Sequence, residues 1–153
     1  MAMRDLLNPE AVRTGVKAGS KKQLLQIAAR HAADLSGVSA EDLFAVLMER
    51  ERLGSTGVGA GVAIPHAKLD GVDHIFGLFY QLAEPVPFEA VDDRPVDLMF
   101  MLLAPAQSGA DHLKSLARVS RLLRDETMRQ RLRGSQSADA LFALLVQEQA
   151  DAA

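Results

Sequence analysis

Histidine is the side chain on which chemistry in this chain must rest. The 153-residue sequence contains four histidines and no cysteine, so thiolate nucleophiles, Cys-ligated zinc, iron–sulfur clusters and disulfides are excluded. Histidine, carboxylate or serine chemistry remains. The histidines are His31, His66, His74 and His112. No two are spaced i, i+4 and none lies in an H-E-x-x-H context, so a conventional zinc site is not supported, and no cofactor is called for. His31 falls on the apolar face of a helical pattern and reads as a packed structural histidine. His74 follows Gly-Val-Asp and reads as an exposed turn residue.

Three features converge on His66: a glycine-rich segment upstream, Pro65 immediately before it, and Lys68 two residues on. On a strand, Lys68 shares a face with His66. The glycine-rich segment, residues 54–61, uses positive φ readily, and its backbone amides are candidates for an anion-binding concavity formed by Gly54, Ser55, Thr56, Gly57 and Gly59. It is not a nucleotide loop. A Walker A motif needs a Lys and a hydroxyl after its last glycine, whereas Gly59 is followed by Ala60 and Gly61. The dinucleotide fingerprint fails at Val62 and follows a helix, not a strand. The G-x-S-x-G elbow of serine hydrolases is absent as well. His112 lies in the first turn of a helical pattern, where an anion is favoured, and Arg50 ends the helix that leads into the glycines. Neither Arg50 nor His112 reads as deep core.

These residues must be placed by the elements around them. Ser20 with Gln23 opens a capping box for a helix ending near Gly37, and Ser39 opens a second that runs to Arg50 or Arg52. Residues 62–68 read as a strand end or edge, because Pro65 withholds a donor. The runs at 75–88 and 96–106 are almost continuously apolar, as strands covered on both faces are, and Glu-Ala-Val-Asp-Asp-Arg-Pro between them reads as a turn. Ser108 is the expected N-cap of a helix that turns Leu113, Leu116, Val119, Ser120 and Leu123 inward. A break near Asp125 and an N-cap at Ser137 follow. Strands interspersed with helices predict one α/β domain over residues 1–153, a mixed sheet flanked by helices.

Composition narrows the function classes. Lys and Arg total 17 against 20 Asp and Glu, a net charge of −3, which excludes a globally basic nucleic-acid coat. The six arginines between Arg118 and Arg133 lack interleaved aromatics and read as a solvated face. Arg4 and Asp5 interrupt any secretory leader, and no apolar run approaches the ~20 residues of a membrane span. A cytoplasmic protein without membrane insertion or nucleic-acid binding is expected.

The string RERLGSTGVGAGVAIPHAKLD, residues 50–70, resembles the phosphorylation-site region of fructose/mannitol-type enzyme IIA proteins of the bacterial phosphotransferase system. The strings SKKQLLQIAARHAADLSG, PVPFEAVDDRPVDLMFMLLAPAQSGADHLKSLARVSRLLRD and TMRQRLRGSQSADALFALL extend the resemblance over nearly the whole chain, closest to the nitrogen-regulatory branch. One departure is Ala67, where that branch often has glycine and sugar-transport members have alanine.

The resemblance implies that His66 is the phosphoacceptor in a shallow depression, that His112 is the second active-site histidine, and that Arg50 helps hold the phosphoryl group. It also implies a stoichiometric carrier charged by an HPr-like phosphocarrier, either HPr or its nitrogen paralogue NPr, with potassium-transport or sensor-kinase proteins among its regulatory targets. Two alternatives stand beside it: a sugar-transport enzyme IIA passing phosphate to an enzyme IIB, and a binding regulator whose phosphorylation is vestigial. The chemistry is intelligible without the family. A neutral imidazole attacks phosphorus through one nitrogen while the other keeps its proton on an acceptor, and the rest is positioning and charge stabilisation. No base is required, in keeping with the lack of an obvious carboxylate beside His66.

Overall fold

The computed structural model describes residues 2–151. In chain order the elements are α1 (Met3–Leu6), a 3-10 turn (Pro9–Ala11), β1 (Val12–Val16), α2 (Lys21–Ser36), α3 (Ala40–Arg52), β2 (Gly57–Gly59), β3 (Val62–Ala63), β4 (His66–Leu69), β5 (Phe76–Val86), β6 (Val96–Pro105), α4 (Ala110–Arg124), α5 (Glu126–Gly134) and α6 (Ala138–Asp151). The sheet is mixed, in the order β1-β5-β6-β3-β2, with β4 also paired to β6. β5 and β6 run antiparallel, while β1 lies parallel to β5, and β3 and β4 lie parallel to β6. No helix among the described residues is long and apolar enough to cross a membrane.

The two apolar runs form the centre because their side chains can be satisfied only there. Leu78, Phe79, Tyr80 and Leu98 to Ala104 are all buried, as expected of strands covered on both faces. The helix caps at Ser20, Ser39 and Ser137 act as read, except that the capping box at α2 is not closed: the Gln23 side chain accepts from the Gly19 amide and not from Ser20. Ser20 Oγ accepts from the Gln23 amide and Ser39 Oγ from the Asp42 amide, and Gly37 closes α2 with φ of 80°. Asp125 Oδ1 caps α5 at the expected break, and Ser137 Oγ accepts from the Ala140 amide.

Four other local expectations change. β1 is an unforeseen strand, because Arg13, Thr14 and Gly15 are exposed and leave it no apolar alternation. The strand expected over 62–68 is two strands, since Ile64 and Pro65 interrupt it; both pieces still pair with β6. The glycine segment is a hairpin, β2 against β3, where loop was expected. Its glycines serve that hairpin: a side chain at Gly57 would meet Ala90 Cβ at 2.7 Å, and Gly59, Ala60 and Gly61 turn the chain through φ values of 101°, 57° and 79°. Finally, Ser108 does not cap α4. The N-cap is Gly109, with no side-chain bond, and Ser108 Oγ donates to the Pro105 carbonyl instead.

Candidate functional site

His66 begins β4, where the chain leaves the Ile64-Pro65 interruption and enters the register opposite Leu102 of β6. Its neighbour Ala67 points into the core and is 5% exposed, so strand alternation turns the imidazole outward, half-buried. The ring is oriented from both nitrogens. Nδ1 lies 2.9 Å from the Ile64 carbonyl oxygen. A carbonyl only accepts, so Nδ1 carries the proton and Nε2 keeps its lone pair. Arg50 Nε donates to that Nε2 at 3.3 Å.

Arg50 reaches the ring from the last turn of α3, which packs beside β4. Its Nη1 also donates to the Gly54 carbonyl at 2.9 Å. The guanidinium is thereby held between the loop and the imidazole, beyond the favourable meeting with the helix dipole that sequence alone explains. His112 comes from the first turn of α4, with its ring centroid 5.8 Å from that of His66 and the planes inclined at 53°. Contrary to the expectation of a residue outside the deep core, His112 is only 5% exposed. Its Nε2 is buried without a hydrogen-bond partner among the described residues. The inward face of α4 is accordingly His112, Ser115, Val119 and Leu123. Leu113, expected inward, is 67% exposed, because adjacent helical positions cannot both face the sheet.

Burial pushes the His66 imidazole below its ordinary pKa of 6.5; the bond to Ile64 opposes this, the Arg50 guanidinium adds to it, and the Glu51 carboxylate opposes it. His112 is lowered too, first by burial and then by His66 and Lys68. Both rings are therefore neutral at pH 7. The arrangement offers one nucleophilic nitrogen, a cation on that nitrogen, and a second imidazole beside it.

The remaining expected residues are distributed differently. Lys68 is exposed on the same strand as His66. Gly54 meets the site through its carbonyl. Ser55 Oγ donates to the Phe88 carbonyl and accepts from the Gly57 amide. The Thr56 amide and hydroxyl both donate to Glu51, and Gly59 lies at the far end of the hairpin, near Asp92. The amides of Thr56 and Gly57 thus have internal partners and do not form the cradle that the glycine spacing suggested. Glu51 itself escaped the sequence reading, as did Lys21, whose ammonium lies 2.8 Å from it. The available signal was the position of Glu51 next to Arg50 at a helix end. The other two histidines are as expected: His31 is packed, and His74 is exposed in a turn against Asp73.

Comparison with known proteins bears on this geometry. The family model described as "Phosphoenolpyruvate-dependent sugar phosphotransferase system, EIIA 2" matches residues 5–148. A nitrogen regulatory protein of Bradyrhizobium diazoefficiens is 51% identical over 153 residues, covering all of both chains. The crystal structure of nitrogen regulatory protein IIA-Ntr from Neisseria meningitidis superposes with a TM-score of 0.88 at 37% identity, over 92% of this chain and 97% of that one. IIA mannitol from Escherichia coli is more distant, with a TM-score of 0.77 at 26% identity, over 90% of this chain and 97% of that one. Matched over nearly all its length by the family model and over its full length by a nitrogen regulatory protein, the chain belongs to the EIIA 2 family of the phosphoenolpyruvate-dependent sugar phosphotransferase system.

Proposed function

We propose that the chain is a histidine phosphoryl carrier of the nitrogen-regulatory type, accepting phosphate on His66 from an HPr-like phosphocarrier and controlling partner proteins through its phosphorylation state. The observation that carries this reading is the opposition at one imidazole: Nδ1 donating to the Ile64 carbonyl, Nε2 facing Arg50. In the step, the Nε2 lone pair forms a new bond to phosphorus. The bond between phosphorus and the donor's imidazole breaks, and its electron pair returns to the donor ring. Nδ1 keeps its proton throughout, hydrogen-bonded to the Ile64 carbonyl, so no base is needed. Arg50 covers Nε2 at rest and moves onto the phosphoryl oxygens as the bond forms, and the buried His112 Nε2 offers them a further hydrogen-bonding nitrogen. Lys68 adds positive charge on the same face.

Regulation follows from the charge change. Phosphorylation places roughly −1.5 to −2 charges on the phosphoryl oxygens, offset by about +1 on the ring that keeps its Nδ1 proton, where the resting protein presents a neutral ring. A partner that covers the unmodified surface must then desolvate that charge or supply cations, so it binds the phosphorylated form less tightly. Potassium-transport and sensor-kinase proteins are the partner classes to try first, on the strength of the family resemblance.

The test is reaction with a phosphorylated HPr-like donor, followed by mapping. An acid-labile, alkali-stable phosphate on His66 is expected, with negligible labelling by ATP alone. Phosphate on Ser55 or Thr56, or none with an active donor, would sink the assignment. Equal affinity of a regulatory partner for wild-type, phosphorylated and His66→Ala protein would favour relay to an enzyme IIB instead.

A further inference from the structure

The reaction at His66 leaves a buried carboxylate beside it without a task. The Glu51 side chain is 4% exposed, and it accepts from Lys21 Nζ at 2.8 Å, from the Thr56 amide at 3.0 Å, and from the Thr56 hydroxyl. From Thr56 the hydrogen bonds continue without a gap. The Ile64 amide donates to the Thr56 carbonyl at 2.9 Å, and His66 Nδ1 donates to the Ile64 carbonyl at 2.9 Å. A second arm starts from the same helix turn: Arg50 holds the Gly54 carbonyl, two residues before Thr56, and meets His66 Nε2. Thr56, which Glu51 pins, therefore stands at the root of the contact to Nδ1, and the loop it belongs to carries the Gly54 carbonyl that holds Arg50.

We infer that Glu51 and Thr56 are positioning residues for His66: the carboxylate, acting through Thr56 and the Ile64 backbone, fixes the ring's orientation and keeps its proton on Nδ1, leaving Nε2 free. A buried carboxylate so satisfied is rigid, and rigidity is what phosphoryl transfer asks of its nucleophile. Lys21 completes the anchor. Its ammonium sits 4.7 Å from the Phe88 ring centroid and 3.6 Å from Glu89, so it neutralises Glu51 from the side away from the loop hydroxyl. The effect on rate rests on His66 being the phosphoacceptor, but the ring's tautomer does not.

The experiment combines the ring-nitrogen NMR spectrum of the full-length, 15N-histidine-labelled protein with the rate of phosphoryl transfer from a phosphorylated HPr-like donor. Wild type is expected to hold the proton on Nδ1 of His66. Thr56→Ser, which keeps the hydroxyl, retains that spectrum and the wild-type rate. Thr56→Val shifts the His66 signals toward a mixture of tautomers and slows transfer about ten- to a hundredfold, as a small misplacement of a reacting group does. Should Thr56→Val fail to fold, Glu51→Gln carries the same expectation. A wild-type proton on Nε2 overturns the inference. So does a folded Thr56→Val or Glu51→Gln protein with unmoved ring signals, whatever its rate, and so does Thr56→Ser behaving like Thr56→Val. If phosphate never reaches His66, the proposed function fails while the spectra still decide the positioning role.

Discussion

His31 and His66 are both shielded histidines whose pKa burial lowers, yet one is a structural strut and the other is the nucleophile of the proposed reaction. At His31, Nε2 lies 2.9 Å from the Glu10 carbonyl and Nδ1 lies 2.7 Å from the Tyr80 hydroxyl. The carbonyl forces the proton onto Nε2. Nδ1 then accepts from Tyr80, whose phenol, pushed up to about 12 by burial, stays protonated. Both nitrogens are used by neutral partners of the fold itself. At His66 the tautomer is reversed, and the free nitrogen faces the half-buried guanidinium of Arg50. Burial and a lowered pKa therefore do not separate the two. The partner of the lone pair does.

The largest consequence of that difference is an exchange of phenotypes. His66→Ala should abolish phosphoryl acceptance while leaving the fold near wild type; His31→Ala should do the reverse, as a labelling assay run beside urea unfolding would reveal. Comparable acceptance by His66→Ala and wild type would erase the distinction. Next in size is Arg50→Ala. Loss of a well-aimed donor costs about 2.7–4 kcal/mol of transition-state stabilisation, and at this half-buried position the lower end, roughly a hundredfold in transfer rate, is expected. His112→Ala should slow transfer and also lower stability, because it opens a gap under α4, whereas Arg50→Ala should affect rate alone. Unchanged single-turnover kinetics in both variants would return them to structural roles.

The stability cost of His31→Ala is smaller. It strands the Tyr80 hydroxyl and the Glu10 carbonyl, and an unsatisfied buried group costs about 1–3 kcal/mol. A drop of that order in unfolding free energy, with transfer intact, sharpens the contrast. The smallest effect is on pH. His31, His66 and His112 all have folded-state pKa values below the ordinary 6.5, so between 6.5 and those lower values the unfolded chain binds protons that the folded one refuses. Stability should be level in this respect above pH 6.5 and decline as pH falls below it. Transfer should decline at lower pH still, as Nε2 of His66 is protonated. A denaturation midpoint that rises on acidification from pH 6.5 would contradict the sign.

Much of this contrast was legible in the sequence, for local reasons. His31 lay on an apolar helical face, and Pro65 marked the break that turns His66 outward. The central strands were legible because burial on both faces leaves an unbroken apolar run. What escaped depended on contacts between distant segments. The glycines read as an anion cradle because their composition reports freedom of φ, not the partners of their amides; those partners are Glu51 for Thr56 and Ser55 for Gly57. Lys21 and Glu51 meet only because α2 and α3 pack together. At its first turn the facing of α4 was misread by one position, since hydrophobicity favours Leu113 over His112; farther along, Val119 and Leu123 face inward as expected.

The most direct test is to determine which nitrogen carries the phosphate. The phosphorylated protein, labelled with 15N-histidine and held at alkaline pH, can be examined by 15N and 31P NMR. Phosphorus bonded to Nε2 of His66 is the predicted result. Phosphorus on Nδ1 of His66, or on His112, would contradict the account.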